Sequence, residues 1–534
     1  MPRVVAVVLL AVVVALALWS DRPPAPVAAS ALATEFSAER ALPIVDDLAR
    51  EPHPVGSPAA ARVRDDVVAR LRALGLAPRV DTAVVRGVAV ANVVATLPGT
   101  APTGTVVLAA HTDSVPAGSG AADDVSSVAA ILETVRALRA GPPLRDDVGV
   151  LLTDGEEAGL LGARAWVRDD LPRDRPTVVL NHEARGVAGP SLVFRTSPGN
   201  AGLVRVIADV VPHPRGDSSL DAIFRLLPND TDLSAVLAAG RPGIDSAFLE
   251  RPSAYHTAGD TSAALSAASV QSQGSTMLAL ARGLGDADLR PLDPAVSGLP
   301  AQPDEVWFRF LGAFVTYPQG WVVPIAVLTA LVLVGAVVLG RRRGVLGVRG
   351  AFVATATAAG ALVVALGLGA ALGALAGSAA GPFSSGLLPY EVVDLALAVL
   401  VVLAWALPLR RRYGPYAPAA AAAALLAVLG IASAVVVPGA SFLVALPGLG
   451  LTLGLAAAVT LHAHPTAAVA ALAVGTVPTA ALLLPFASQV FLVDGAAHGL
   501  AVTAFALCAC ACVPVLGHGN ARTLSGRGAV AVRA

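Results

Sequence analysis

Residues 105–113 read TVVLAAHTD. The first six are apolar or β-branched with no polar alternation, the pattern of a short strand covered on both faces. A histidine and an aspartate come directly after. The arrangement recurs along the chain. VGVLLT at 148–153 runs into Asp154-Gly155-Glu156-Glu157, and TVVL at 177–180 runs into Asn181-His182-Glu183. Residues 91–97 and 244–249 also read as strands, and 58–74, 124–139, 156–168 and 200–211 as helices. This alternation predicts an α/β domain: a mainly parallel mixed sheet with helices on both faces. In such sheets the chemistry gathers just beyond the C-terminal strand ends, where these ligand-type residues fall.

Further from this stretch the composition changes. From residue 1 to 320 there are 27 Arg and 35 acids, a net of −8; from 321 to 516 only ten charges remain. The chain has no Lys. Charged residues are 14% of its 534 residues and hydrophobic ones 55%, against ~25% charged in typical soluble proteins. Much of the chain is therefore expected to face lipid. The absence of a basic stripe excludes nucleic-acid binding. The three cysteines, Cys508, Cys510 and Cys512, sit in one apolar run. A disulfide, thiolate metal site or cysteine nucleophile in the polar domain is thereby excluded.

These shifts predict the organisation of the chain. Residues 1–20 form an apolar signal-anchor or signal peptide, which places the polar domain on the exported side. A Pro/Ala linker covers 21–34, the polar domain 35–290, and a second linker 291–320. Residues 321–516 hold about seven apolar runs: 321–340, 351–376, 391–408, 418–437, 441–461, 466–488 and 497–516. Each is about long enough to cross a ~30 Å hydrocarbon core as a helix. A tail covers 517–534. Arg341, Arg342, Arg343 and Arg349 lie in one loop, Arg410, Arg411 and Arg412 in another, and Arg522, Arg527 and Arg533 in the tail. Under the positive-inside rule these segments are cytoplasmic and the polar domain extracytoplasmic or luminal. An integral, multi-pass protein whose partner is the bilayer is expected. The sequence names no protein partner.

The candidate ligands are His111 with Asp113, Asp123 beside Asp124, Glu156 beside Glu157, Glu183, and His256 in Tyr255-His256-Thr257. Each has an ordinary reading alone: a hydrogen-bonded surface pair, a helix cap, carboxylates complementing a helix dipole, a loop histidine. His182 competes with Glu183, but alternation on a strand lets only one of them point inward. His53 and His213, beside prolines, read as structural. Together, nitrogen and oxygen donors without thiolate suit a catalytic zinc with an open position for water. Two metals ~3.5–4 Å apart need a carboxylate between them. A free Glu beside a ligand Glu supplies a general base.

Seven segments in order resemble metallopeptidase family 28, the aminopeptidase Y type of di-zinc exopeptidase. They are HPVGS (53–57), NVVATLPG (92–99), HTDS (111–114), GAADDVS (120–126), DGEEAGLLG (154–162), NHEARG (181–186) and YHTAGDT (255–261). The membrane-embedded branch of that family, with the endoplasmic reticulum metallopeptidase and the vacuolar membrane protease, also places this domain before a series of membrane helices. Pro228 to Asp232 and Pro242 to Asp245 resemble that branch too. The resemblance implies the zinc exopeptidase fold and two zinc ions. It makes His111 and Glu183 ligands of one, Glu157 and His256 ligands of the other, and Asp123 the bridge. Glu156 would be the general base and Asp113 would orient His111. Glu183 stands where much of the family has Asp, and Ser127 where it usually has Gly. The expected activity is peptide-bond hydrolysis, of the aminopeptidase type, on a peptide or small protein. Two alternatives stand beside it: a glutaminyl-cyclase-like acyltransferase with a single zinc, and a membrane scaffold with a vestigial peptidase domain.

Overall fold

The computed structural model describes residues 2–225, 230–376, 390–487, 490 and 502–506. The chain divides into two units, residues 21–319 and residues 1–20 with 320–534. Helix α1 (Pro2–Ser20) belongs to the second.

The 21–319 unit is built on a seven-stranded sheet. Its strands are β1 (Arg79–Val85), β2 (Val88–Leu97), β3 (Thr105–His111), β4 (Asp147–Thr153), β5 (Thr177–Ala184), β6 (Leu192–Thr196) and β7 (Gly243–Phe248). Their order is β1-β2-β4-β3-β5-β7-β6. The inner strands β4, β3, β5 and β7 are parallel; β1, β2 and β6 pair antiparallel at the two edges. The helices are α2 (Ala38–Leu48), α3 (Pro58–Ala73), α4 (Ser127–Arg139), α5 (Leu161–Asp169), α6 (Ala201–Val210), α7 (Ser219–Phe224), α8 (Leu233–Ala238), α9 (Ala267–Gly285) and α10 (Pro294–Ser297). The expected mixed, mainly parallel sheet is therefore the observed one.

Alternation along the buried strands divides the core. Leu108, Ala110, Val150, Leu152 and Leu180 pack with Ile131, Val135, Met277 and Leu280 of α4 and α9. Val107, Ala109, Leu151 and Val179 face Trp166, Leu233 and Val236 of α5 and α8. Each large apolar side chain among them contributes about 1.5–3 kcal/mol on burial, which makes these strands a rigid base for the residues at their ends.

Two boundaries differ from expectation. Residues 156–160 form a turn and α5 starts only at Leu161, because Gly155, Gly159 and Leu160 all take positive φ. The stretch 291–320, expected as a linker, carries a hairpin of β8 (Glu305–Phe310) and β9 (Ala313–Pro318). Its two-residue turn, Leu311-Gly312, has positive φ at both positions, the backbone that matches strand twist. Trp307 is buried under it, and its carbonyl accepts the Ser218 N–H at 2.9 Å.

The other unit contains α11 (Val322–Arg342), α12 (Val348–Ala376), α13 (Tyr390–Tyr413), α14 (Ala417–Val436), α15 (Phe442–Thr460) and α16 (Pro465–Gly475). Among the described residues six helices are long and apolar enough to cross a membrane, from Gln319–Arg342 to Pro465–Ala487. Of the seventh expected run, 497–516, only 502–506 lie among the described residues. Helix α1 packs against α16 through a face that buries Ala6, Leu10, Val13 and Ala17, spaced for one side of a helix. At the α15–α16 crossing a Cβ on Gly454 would lie 2.9 Å from the Ala471 carbonyl oxygen. Glycine there lets the two backbones touch.

Candidate metal centre

His111 is the last residue of β3, between β4 and β5. Its Nδ1 lies 2.9 Å from the Asp113 backbone carbonyl. A carbonyl only accepts, so Nδ1 carries a proton there and Nε2 is the nitrogen that faces the site. The Asp113 carboxylate acts elsewhere. Its Oδ1 and Oδ2 accept the backbone N–H groups of Glu156 at 3.0 Å and Glu157 at 3.2 Å. Its closer oxygen stands 3.6 Å from His111 Nδ1. Asp113 therefore meets the imidazole through its main-chain carbonyl and the Glu156-Glu157 turn through its side chain.

Asp123 lies just beyond the 118–120 glycine loop. Gly120 has φ +60, and a Cβ there would fall 2.6 Å from the Asp123 carbonyl oxygen. A Cβ on Gly118 would fall 2.4 Å from the Thr257 carbonyl oxygen. Only glycine lets this loop press against the segment carrying His256. Asp260, on that same segment, accepts the N–H groups of Ala122 at 2.7 Å and Asp123 at 3.1 Å.

The side chains converge. Asp123 Oδ1 lies 3.2 Å from His111 Nε2, and Oδ2 lies 3.2 Å from His256 Nε2. His256 Nε2 is 3.1 Å from Glu157 Oε2, and His111 Nε2 is 3.7 Å from Glu183 Oε2. Ligand atoms of His111, Asp123 and Glu157 lie within 4.8 Å of one another, and so do those of His111, Asp124 and Glu183. Five of the expected site residues, His111, Asp123, Glu157, Glu183 and His256, thus share one cluster. Glu156 and Asp113 sit on the adjoining turn and strand end.

The electrostatics ask for cations. Burial pushes the carboxyl of Glu156 well above the usual carboxylate range. Burial and the neighbouring Asp124 charge do the same to Glu183. Burial opposes ionisation of Asp123, yet hydrogen bonds with His111 and His256 hold it below its ordinary value. Burial also opposes the His256 cation, but Asp123 and Glu157 raise its pKa to about 10. Several carboxylates thus share two imidazoles in a buried place, and among the described residues Glu157 Oε1 has no hydrogen-bond partner. Nitrogen and oxygen donors of this kind fit zinc.

Alternation on β5 decides between His182 and Glu183. Glu183 faces the cluster. His182 is fully buried, neither ring nitrogen has a partner among the described residues, and burial lowers its pKa to about 3. Of the two carboxylates in the 123–124 pair, that of Asp124 turns to the His111 backbone N–H at 3.3 Å and to the Ser127 hydroxyl. Asp260 and Asn181, which sequence reasoning left without roles, hydrogen-bond to Asp123 and Glu183 of the cluster. Their signal was proximity to a ligand within a motif; their partners lie on other strands and loops. The imidazole of His53 is buried with Nδ1 2.8 Å from the Glu51 carbonyl.

Residues 92–281 match Peptidase family M28. Over 230 residues the chain is 34% identical to endoplasmic reticulum metallopeptidase 1 of Rattus norvegicus, covering 42% of this chain and 25% of that protein. Over 169 residues it is 36% identical to the vacuolar membrane protease of Lachancea thermotolerans, covering 31% and 17%. The chain spans about a quarter of the length of the first of these relatives. A crystal structure of Porphyromonas gingivalis glutaminyl cyclase aligns with a TM-score of 0.39 at 20% identity, covering 46% of this chain and 97% of that one. Residues 92–281 are a domain of peptidase family M28.

Proposed function

We propose that the chain is a membrane-anchored di-zinc exopeptidase that hydrolyses peptide bonds, of the aminopeptidase type, with its 21–319 unit on the extracytoplasmic or luminal side. One observation carries the reading. The two oxygens of Asp123 each stand 3.2 Å from a different imidazole nitrogen, which suits a carboxylate bridging two ions. His111 and Glu183 would hold one zinc, and Glu157 and His256 the other. Zinc, when bound, lowers the pKa of a water and polarises a carbonyl. The protein's own groups do the rest. Asp113 fixes the backbone of Glu156 and Glu157, so the ligand and the base keep their spacing. Glu156 accepts the proton of the attacking water and returns it to the leaving amine, and burial raises its proton affinity toward that task. The arginines in the last turns of α11 (Arg341, Arg342) and α13 (Arg410, Arg411, Arg412) support the orientation.

The test uses the full chain in detergent, given aminoacyl amides and N-blocked peptides with and without a zinc chelator. Cleavage confined to unblocked substrates, lost with chelator and restored by zinc, is expected, with two zincs per chain. Glu156→Gln should keep the metal and lose about 10²–10⁴ of the rate. One zinc per chain with cyclisation of N-terminal glutamine would instead establish the acyltransferase alternative. Full metal loading with no turnover of any substrate would establish the scaffold alternative.

A further inference from the structure

We propose that Arg195, Asp245 and Asn181 form a row across the sheet that positions Glu183 for metal, so that the affinity of one half of the centre is set from the sheet edge. The proposal rests on the reading of Glu183 as a zinc ligand.

The row arises from register. β5 and β7 run parallel with Asn181 opposite Asp245, and β6 runs antiparallel to β7 with Arg195 opposite Asp245. An irregularity in the pairing between Val193 and Arg195 sets that register. Residues far apart in the chain thus stand side by side on one face, and Glu183 is two residues beyond Asn181 on the same face.

The hydrogen bonds give the row a direction. Arg195 Nε donates to Asp245 Oδ2 at 2.7 Å, and its other nitrogens reach Ser234 Oγ at 2.8 Å and Thr231 Oγ1 at 2.7 Å. Thr231 Oγ1 in turn lies 3.0 Å from Asp245 Oδ2. Asn181 Nδ2 donates to Asp245 Oδ1 at 2.9 Å and to Glu183 Oε1 at 3.1 Å. The amide has two hydrogens, and a carboxylate takes each. Turning the amide over would set its oxygen against two carboxylates, so its orientation is decided. With Oε1 held, Oε2 of Glu183 is the oxygen facing His111 Nε2. Asn181 and Asp245 are fully buried and Arg195 is 6% exposed, so water does not compete.

A purely structural role for the buried Arg195–Asp245 pair would explain that pair, but not the second hydrogen bond of Asn181. The experiment therefore targets Asn181, which leaves the ion pair intact. Zinc affinities of the full chain in detergent are measured by chelator competition for wild type, Asn181→Ala, Glu183→Gln and the double variant. Melting of the zinc-free chain reports folding, and Asn181→Ser replaces Asn181→Ala if the latter does not fold. Asn181→Ala is expected to weaken one of the two zincs about 10–100-fold and leave the other unchanged, and to add nothing on the Glu183→Gln background. Equal weakening of both zincs, no weakening, or additivity with Glu183→Gln would overturn the row. If Glu183→Gln itself leaves both affinities unchanged, the ligand reading falls, and the row with it.

Discussion

The two imidazoles at the centre are held in opposite ways. His111 ends a strand flanked by β4 and β5, is 1% exposed, and has its proton placed by a carbonyl two residues away. Its partner Glu183 is on the neighbouring strand, with register set by the sheet. His256 stands on a loop at φ 56, with its side chain 38% exposed, stacked on Tyr255 at 3.8 Å between ring centroids. Its partner Glu157 is in a turn pinned by Asp113. One half of the centre is therefore arranged by strand pairing. The other depends on two carboxylates, Asp113 and Asp260, that each accept two consecutive backbone N–H groups. The difference teaches where the site should be soft: in the loop-borne half.

The largest effect tests whether the halves are joined at all. Asp123→Asn should lower zinc content at both halves and abolish activity; loss of a single zinc by elemental analysis would separate them. Next, Asp260→Asn sets an amide against two N–H donors. It should weaken the loop-borne zinc about 10–100-fold with little change at the other, read by chelator competition. An equal effect at both would make the segment 255–261 a support for the whole centre. Smaller still, Tyr255→Leu removes the ring stacked on His256. A loss of about 1 kcal/mol at the loop-borne half is expected, roughly fivefold in zinc dissociation.

A separate effect concerns pH in the chelated protein. Burial raises Asp154, Asp232 and Asp260 from 3.8 to about 6. Folded carboxyls with raised values bind more protons than unfolded ones between those limits, so stability rises as pH falls from about 6 to about 3.8. Melting temperature of the zinc-free chain should climb across this window. A melting temperature that falls steadily across it would contradict the crowding of carboxylates that makes the centre want cations.

The inner strands and the candidate ligands at their ends were legible in the sequence for one reason. A strand buried on both faces is a continuous apolar run, and its polar terminus marks the site edge. Thus His111, Glu156 with Glu157, and Glu183 stand out beside TVVLAA, VGVLLT and TVVL. The edges were less visible. β1 carries Arg79, Asp81 and Thr82, and its side chains are half-buried or exposed, so no apolar run announces it. β6 has five residues and β8 lies in a Pro-rich setting. Helix α5 starts late because positive φ at Gly159 and Leu160 ends the turn there, a backbone choice with no periodic signature. Asp113 stood out as a candidate in HTDS, but which of its groups faces His111 depends on atoms the sequence does not position.

Residue types and their order along the chain, by themselves, determine that this protein has a charged α/β region and an apolar helical one, and which donors are available for metal. Local chemistry suffices there, since burial and hydropathy act residue by residue. Which donors meet is a different matter. Residues 181, 195 and 245 become neighbours only because the sheet takes the order β5-β7-β6, and residues 123 and 260 only because two loops close on a glycine. Those contacts are long-range, and pairing across strands, not the sequence near any one residue, decides them.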